Sequence, residues 1–248
     1  MASTFETGHA KNVANFDELI SFITGYGAVY NPSKASLKLT ALKTLSTNAK
    51  NAVNTVNGAM PSYKNAVANR QSAFTPLSKL ITRVMNAAIV TMSKEEEIEH
   101  VRSLVRKIQG RRAEAKKSEE ELQALALVGK ETKNISASQM SYDNRIDSLD
   151  KLIKLLSSNT LYKPNETELK LTSLTNLFKQ LSDANALVLQ ATVPLSNARL
   201  VRNDVLYLGE DCLVTVALES KTYIKSLFGV GSPQYKQISK LYFKTQKM

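Results

Sequence analysis

The chain has 248 residues, 27.4 kDa and 43% hydrophobic residues, enough to bury a sizeable core. Only 9 Gly and 6 Pro argue against an all-β chain with its many turns, and the single cysteine, Cys212, excludes an internal disulfide framework. With 33 basic and 22 acidic residues the net charge is +11, which favours an anionic partner or an acidic face on a neighbouring subunit over a charge-neutral role.

Residues 1–14 read as a polar N-terminal arm without the apolar core of a secretory signal. No uncharged apolar run reaches the ~20 residues of a membrane span, so a cytoplasmic location is expected. A first helix ends at Gly25 and Gly27, in the aromatic loop Phe22–Tyr30. Tyr26 and Tyr30 there either cap the end of a bundle or contact a partner. Between Glu18 and Glu95 there is no acidic residue, while Lys34, Lys38, Lys43, Lys50, Lys64, Arg70, Lys79, Arg83 and Lys94 fall inside that interval.

The next helix carries Leu42, Leu45, Ala49, Ala52 and Val56, stepping 3, 4, 3, 4 as an a/d seam. Its polar positions are Ser, Thr and Asn with no Glu, a composition that suits a covered or self-associating face. A further helix is expected from Pro61, with a seam Val67, Phe74, Leu77, Ile81, Val84 and Ala88 and a bend at Pro76. Ser93 with Glu96 reads as a capping box opening a helix through Ile98, Val101, Val105 and Ile108. Gly110 either ends that helix or lets it run to Gly129, which would make a rod on the order of 50 Å.

A tandem duplication organises the chain. Tyr30-Asn-Pro-Ser-Lys-Ala-Ser-Leu-Lys-Leu-Thr-Ala-Leu42 matches Tyr162-Lys-Pro-Asn-Glu-Thr-Glu-Leu-Lys-Leu-Thr-Ser-Leu174, and Asn65, Ala66 and Arg70 match Asn197, Ala198 and Arg202 at the same offset. The second copy supplies a helix near 141–158, a capping box at Asn165 and Glu168, a seam Leu174, Leu177, Leu181, Ala184 and Val188, a helix from Pro194 and a weak point at Gly209. The expected fold is all-α: an elongated helical bundle of two internally similar units. The expected layout is an arm at 1–14, a first repeat with a long connecting helix at 15–130, a second repeat at 131–230 and a basic tail at 231–248, either helical or docked in extended form.

Catalytic chemistry is not legible. His9 and His100 have no motif around them, Cys212 sits beside the seam position Leu213 as a structural thiol, and Glu97-Ile-Glu-His100 has the spacing of a metal pair only once. No enzyme activity, metal, cofactor or small-molecule substrate is therefore expected. The candidate interface or anion-binding residues are Lys38, Lys43, Lys50, Arg102, Arg106, Arg111, Arg112, Tyr26 and Tyr30. The acid-free stretch is expected to face Glu119–Glu121, Asp143, Asp147 and Asp150 of another copy.

Tyr30-Asn-Pro, Gly110-Arg-Arg, Tyr162-Lys-Pro-Asn-Glu and Ser232-Pro-Gln-Tyr-Lys resemble segments of all-helical bacterial proteins of the Bacteroidota. That resemblance implies no activity. The favoured function is a non-enzymatic structural protein that self-assembles or scaffolds through helical faces. Two alternatives stand beside it. A membrane-active bundle would expose Leu19–Tyr30 or Ala184–Leu195, and a basic nucleic-acid binder would use Arg111 and Arg112.

Overall fold

The computed structural model describes residues 8–111 and 141–245, and the regular structure among them is all helical. The helices are α1 (His9–Gly25), α2 (Leu39–Phe74), α3 (Leu77–Thr91), α4 (Glu95–Gln109), α5 (Tyr142–Ser158), α6 (Leu171–Asn203), α7 (Leu213–Phe228) and α8 (Pro233–Ser239). The all-α expectation is met.

The entries to α2 and α6 use the same device. Short 3-10 turns at Ala35–Leu37 and Thr167–Leu169 precede the two long helices. The buried Tyr30 hydroxyl donates to the Leu37 carbonyl at 3.0 Å, and Tyr162 donates to Leu169 at 2.9 Å. Burial pushes the Tyr162 hydroxyl pKa up to about 12, so it remains a protonated donor at neutral pH. Tyr30→Phe or Tyr162→Phe removes the bond and leaves a buried carbonyl unpaired. Each is expected to cost about 1–3 kcal/mol in urea unfolding. A change within experimental error would show that the tyrosine does not fasten the turn.

Several expected boundaries move. α1 begins at His9, inside the segment read as an arm, because Asn12, Val13, Asn15 and Phe16 are buried. α2 runs through Pro61 and α6 through Pro194, where new helices were expected. Proline there removes the bond to the carbonyl four residues back, but Asn57, Pro61, Gln190 and Pro194 are all exposed, so water can take up the freed carbonyls. The break does come at Pro76, which caps α3. In the second copy a π turn, Asp204–Leu208, ends at Gly209. Neither Ser93 nor Asn165 is a helix N-cap: Lys94 precedes α4 without a side-chain cap, and α6 starts at Leu171, with Glu168 drawn instead to Arg83.

Gly110 ends α4 in the left-handed region (φ 68°), its N–H and that of Arg111 bonding back to Lys107 and Arg106 as in a Schellman motif. The longer rod to Gly129 is thereby excluded. Arg112 and Glu119–Glu121 lie outside the described residues. Ser141 caps α5 through the Asn144 N–H. The tail resolves into both forms considered for it: α8, capped by Ser232, then a non-helical stretch that buries Leu241 and Phe243.

The described residues form two compact units. In the first, residues 8–64 and 191–245, the core joins Phe16, Leu19, Ile20, Ile23, Tyr30, Leu42 and Ala49 to Leu206, Leu213, Val216, Ala217, Ile224, Ile238 and Phe243. In the second, residues 65–111 and 141–190, Phe74, Leu77, Ile81, Val84, Ala88, Val101, Val105 and Ile108 pack with Leu149, Leu152, Leu156, Tyr162, Leu174 and Leu181. The seam positions read from the sequence thus face inward, although Leu45, Val67, Leu177 and Ala184 are only half-buried.

Candidate interaction surfaces

In the first unit α1 holds the tail in place. Asn12 reads both backbone groups of Lys244, donating to its carbonyl at 2.9 Å and accepting its N–H at 3.0 Å, while Asn15 donates to the Tyr242 carbonyl at 2.6 Å. Lys221 donates to the Leu241 and Ser239 carbonyls, and burial lowers its pKa. Their reach satisfies a non-helical strand that has no sheet to join.

His9 lies at 2.7 Å from the Tyr207 hydroxyl. Its pKa is lowered, first by burial and then by Arg202 and Lys244. With the pKa depressed in the folded chain, folding favours neutral His9. That contribution is complete above about pH 6.5, the unfolded value, and is lost as pH falls from there through the folded value. Thermal melts between pH 7.5 and 5.5 should show a decline that His9→Gln removes. An unchanged profile in that variant would rule His9 out as its source.

The sequence candidates scatter. Lys38 and Lys43 are exposed and form no ion pair among the described residues; Lys50 is paired with Asp17 at 2.8 Å. Arg102 is drawn to Glu95 and Glu99, and Arg106 and Arg111 join no ion pair among the described residues. Tyr26 packs on Phe228 and donates to the Gln234 carbonyl. Tyr30, buried and edge-on to Tyr223, has its hydroxyl engaged. Tyr26, Tyr30, Lys38, Lys43 and Lys50 belong to the first unit, and Arg102, Arg106 and Arg111 to the second.

The acidic positions expected to receive another copy are engaged at home: Asp147 with Lys151, Asp150 with Lys154, and Asp143 with Asn185. The acid-free stretch finds acids in its own chain, Lys34 with Asp211 and Glu219, and Arg83 with Glu168. Cys212 is buried and unbridged. Among the described residues no group of His, Cys, Asp and Glu is placed to share a metal ion, and no helix is long and apolar enough to cross a membrane.

The segment Ala184–Leu195, read from the sequence only as an apolar stretch for a membrane-active bundle, exposes several of its side chains, and the line they form was missed. Leu187, Leu189, Val193, Leu200 and Val201 are all more than half exposed, with Leu189 at 67% and Leu200 at 65%. Ala186, Leu189, Val193, Ser196 and Leu200 step 3, 4, 3, 4, a second heptad line on the face turned away from Val188 and Leu195. The run Ala184–Ala198 is uncharged. The equivalent positions of α2 are Asn54, Asn57, Pro61, Lys64 and Ala68. The signal was visible as that contrast between copies.

These features define a class: an all-α protein with two helical cores and an exposed apolar helix line. No family model matches the chain, nor does any curated protein or solved structure.

Proposed function

We propose that the protein is a non-enzymatic, self-associating scaffold that joins copies of itself through helical faces. The observation that carries this reading is the exposed heptad line of α6. A scaffold helix needs one apolar face for its own core, and α6 has that face in Leu174, Leu181, Val188 and Leu195. The second line costs solubility and serves no packing within the described chain. Its 3-4 spacing suits a helix, whose side chains interdigitate in that rhythm.

The charge distribution supports the choice of face. Copies carrying +11 repel one another, and an uncharged stretch is where they approach at least cost. Self-association should therefore survive or strengthen in high salt, which screens the repulsion. Sedimentation and light scattering of the purified chain at low and high salt test it. A chain that binds neutral liposomes and stays monomeric without them would instead support the membrane-active reading.

A further inference from the structure

We infer that residues 8–111 and 141–245 are reciprocal partners rather than two self-sufficient repeats, and that the matching half of a second copy of this chain can take the place of either. This goes beyond contact through α6, because it concerns surfaces that the monomer buries.

Both large cores are built across the halves. In one, α1 and the start of α2 supply the first half's share, and α7, α8 and the tail supply the second's. In the other, α3 and α4 come from the first half, and α5 and the start of α6 from the second. The small cluster of Val56 with Leu195 and Ala198 follows the same rule. Each half gives its opening helix to one core and its closing helices to the other.

Polar contacts also join the halves. In the first unit, Asn12 and Asn15 hold the tail, His9 meets Tyr207, and Lys34 pairs with Asp211 and Glu219. In the second, Arg145 donates to the Ile108 carbonyl at 3.0 Å, Asn159 to Glu97 at 2.5 Å and Arg70 to Asn185 at 2.8 Å. Lys34 and Arg83, both inside the acid-free stretch 19–94, thus take their counter-charges from the other half, whereas Lys50 pairs with Asp17 of its own.

Residues 112–140 are the only covalent link between the halves. The Arg145–Ile108 bond places the two ends of that link close together, whereas 29 residues can extend to roughly 100 Å. Because the halves belong to one chain their pairing is intramolecular, so the closed monomer dominates in dilute solution. At high concentration, or on refolding from a concentrated denatured solution, the first half of one copy closes on the second half of the next. Every core contact is retained and no new one is required.

The test uses the full chain with a specific protease cleavage sequence inserted between residues 125 and 126. Cut after folding, the fragments should leave size exclusion as a 1:1 complex whose melting temperature rises with concentration, unlike that of the uncut chain. Cut isotope-labelled and unlabelled protein, unfolded and refolded together, should give about half mixed pairs in native mass spectrometry. Dimers of uncut chain formed by exchange should fall to single-chain mass when cut, whereas dimers joined through α6 keep double mass. Fragments that separate and melt independently, cut halves that never re-pair, or refolded concentrated chain that gives no cleavable dimer would each overturn the inference. Failure of α6 association alone leaves these readouts unmoved.

Discussion

Leu152→Ala is expected to destabilise the chain by about 2–5 kcal/mol, and its damage should appear first in the opposite half of the sequence. Leu152 is fully buried in α5. Truncation removes the transfer free energy of its side chain and leaves a cavity that the neighbours fill only in part. The same core holds Ile81 and Val84 of α3 and Val101 and Val105 of α4. Native-state hydrogen exchange reads local opening, so protection should fall in α3 and α4 while α7, which follows α5 in sequence but belongs to the other core, keeps its own. Phe16→Ala, expected to cost about 3–5 kcal/mol, should do the converse and loosen α7, since Phe16 shares a core with Leu213, Val216 and Ala217. A Leu152→Ala variant that loosens α7 and spares α3 and α4 would falsify this assignment of the cores.

Periodicity could show which face of each helix is buried, but not against what. Leu42, Leu45, Ala49, Ala52 and Val56 step 3, 4, 3, 4, and all but the half-buried Leu45 are buried, because one strip of an α-helix must leave water whatever covers it. The partner strip lies far away in sequence and carries the same residue types, so nothing in Val101 or Val105 of α4 indicates that they share a core with Leu149 and Leu152 of α5. Pro76 and Gly209 were legible as breaks because each is a poor residue for a helix interior. Pro61 and Pro194 misled because one missing hydrogen bond on an exposed face costs less than ending a packed helix would. The capping boxes failed for a related reason: Glu168 is drawn to Arg83, a pairing that only the tertiary fold supplies. The segment Ala184–Leu195 was legible as apolar, but the line that continues from Leu189 to Leu200 was not, because only the fold shows that the opposite face, Val188 and Leu195, is the one already buried.

Replacing both Leu189 and Leu200 with lysine is expected to abolish self-association while leaving the fold intact. The two side chains are 67% and 65% exposed in the single chain, so their replacement opens no cavity, and lysine is a good helix former. In a paired helix face each leucine contributes roughly 1.5–3 kcal/mol through burial. Losing two per copy removes about 3–6 kcal/mol, more than a hundredfold in dissociation constant at 1.4 kcal/mol per decade. Two new positive charges also face a partner that already carries +11, which adds a repulsion that salt only partly screens. The matched control is Asn57→Lys with Ala68→Lys, the equivalent positions of α2, where the same charge is added without removing an apolar line. Sedimentation should show the α6 variant monomeric at concentrations where the parent chain and the α2 variant associate. Equal loss in both variants would assign the effect to charge alone and remove α6 as the contact. Continued association of the α6 variant, with circular dichroism unchanged, would place the contact elsewhere on the chain.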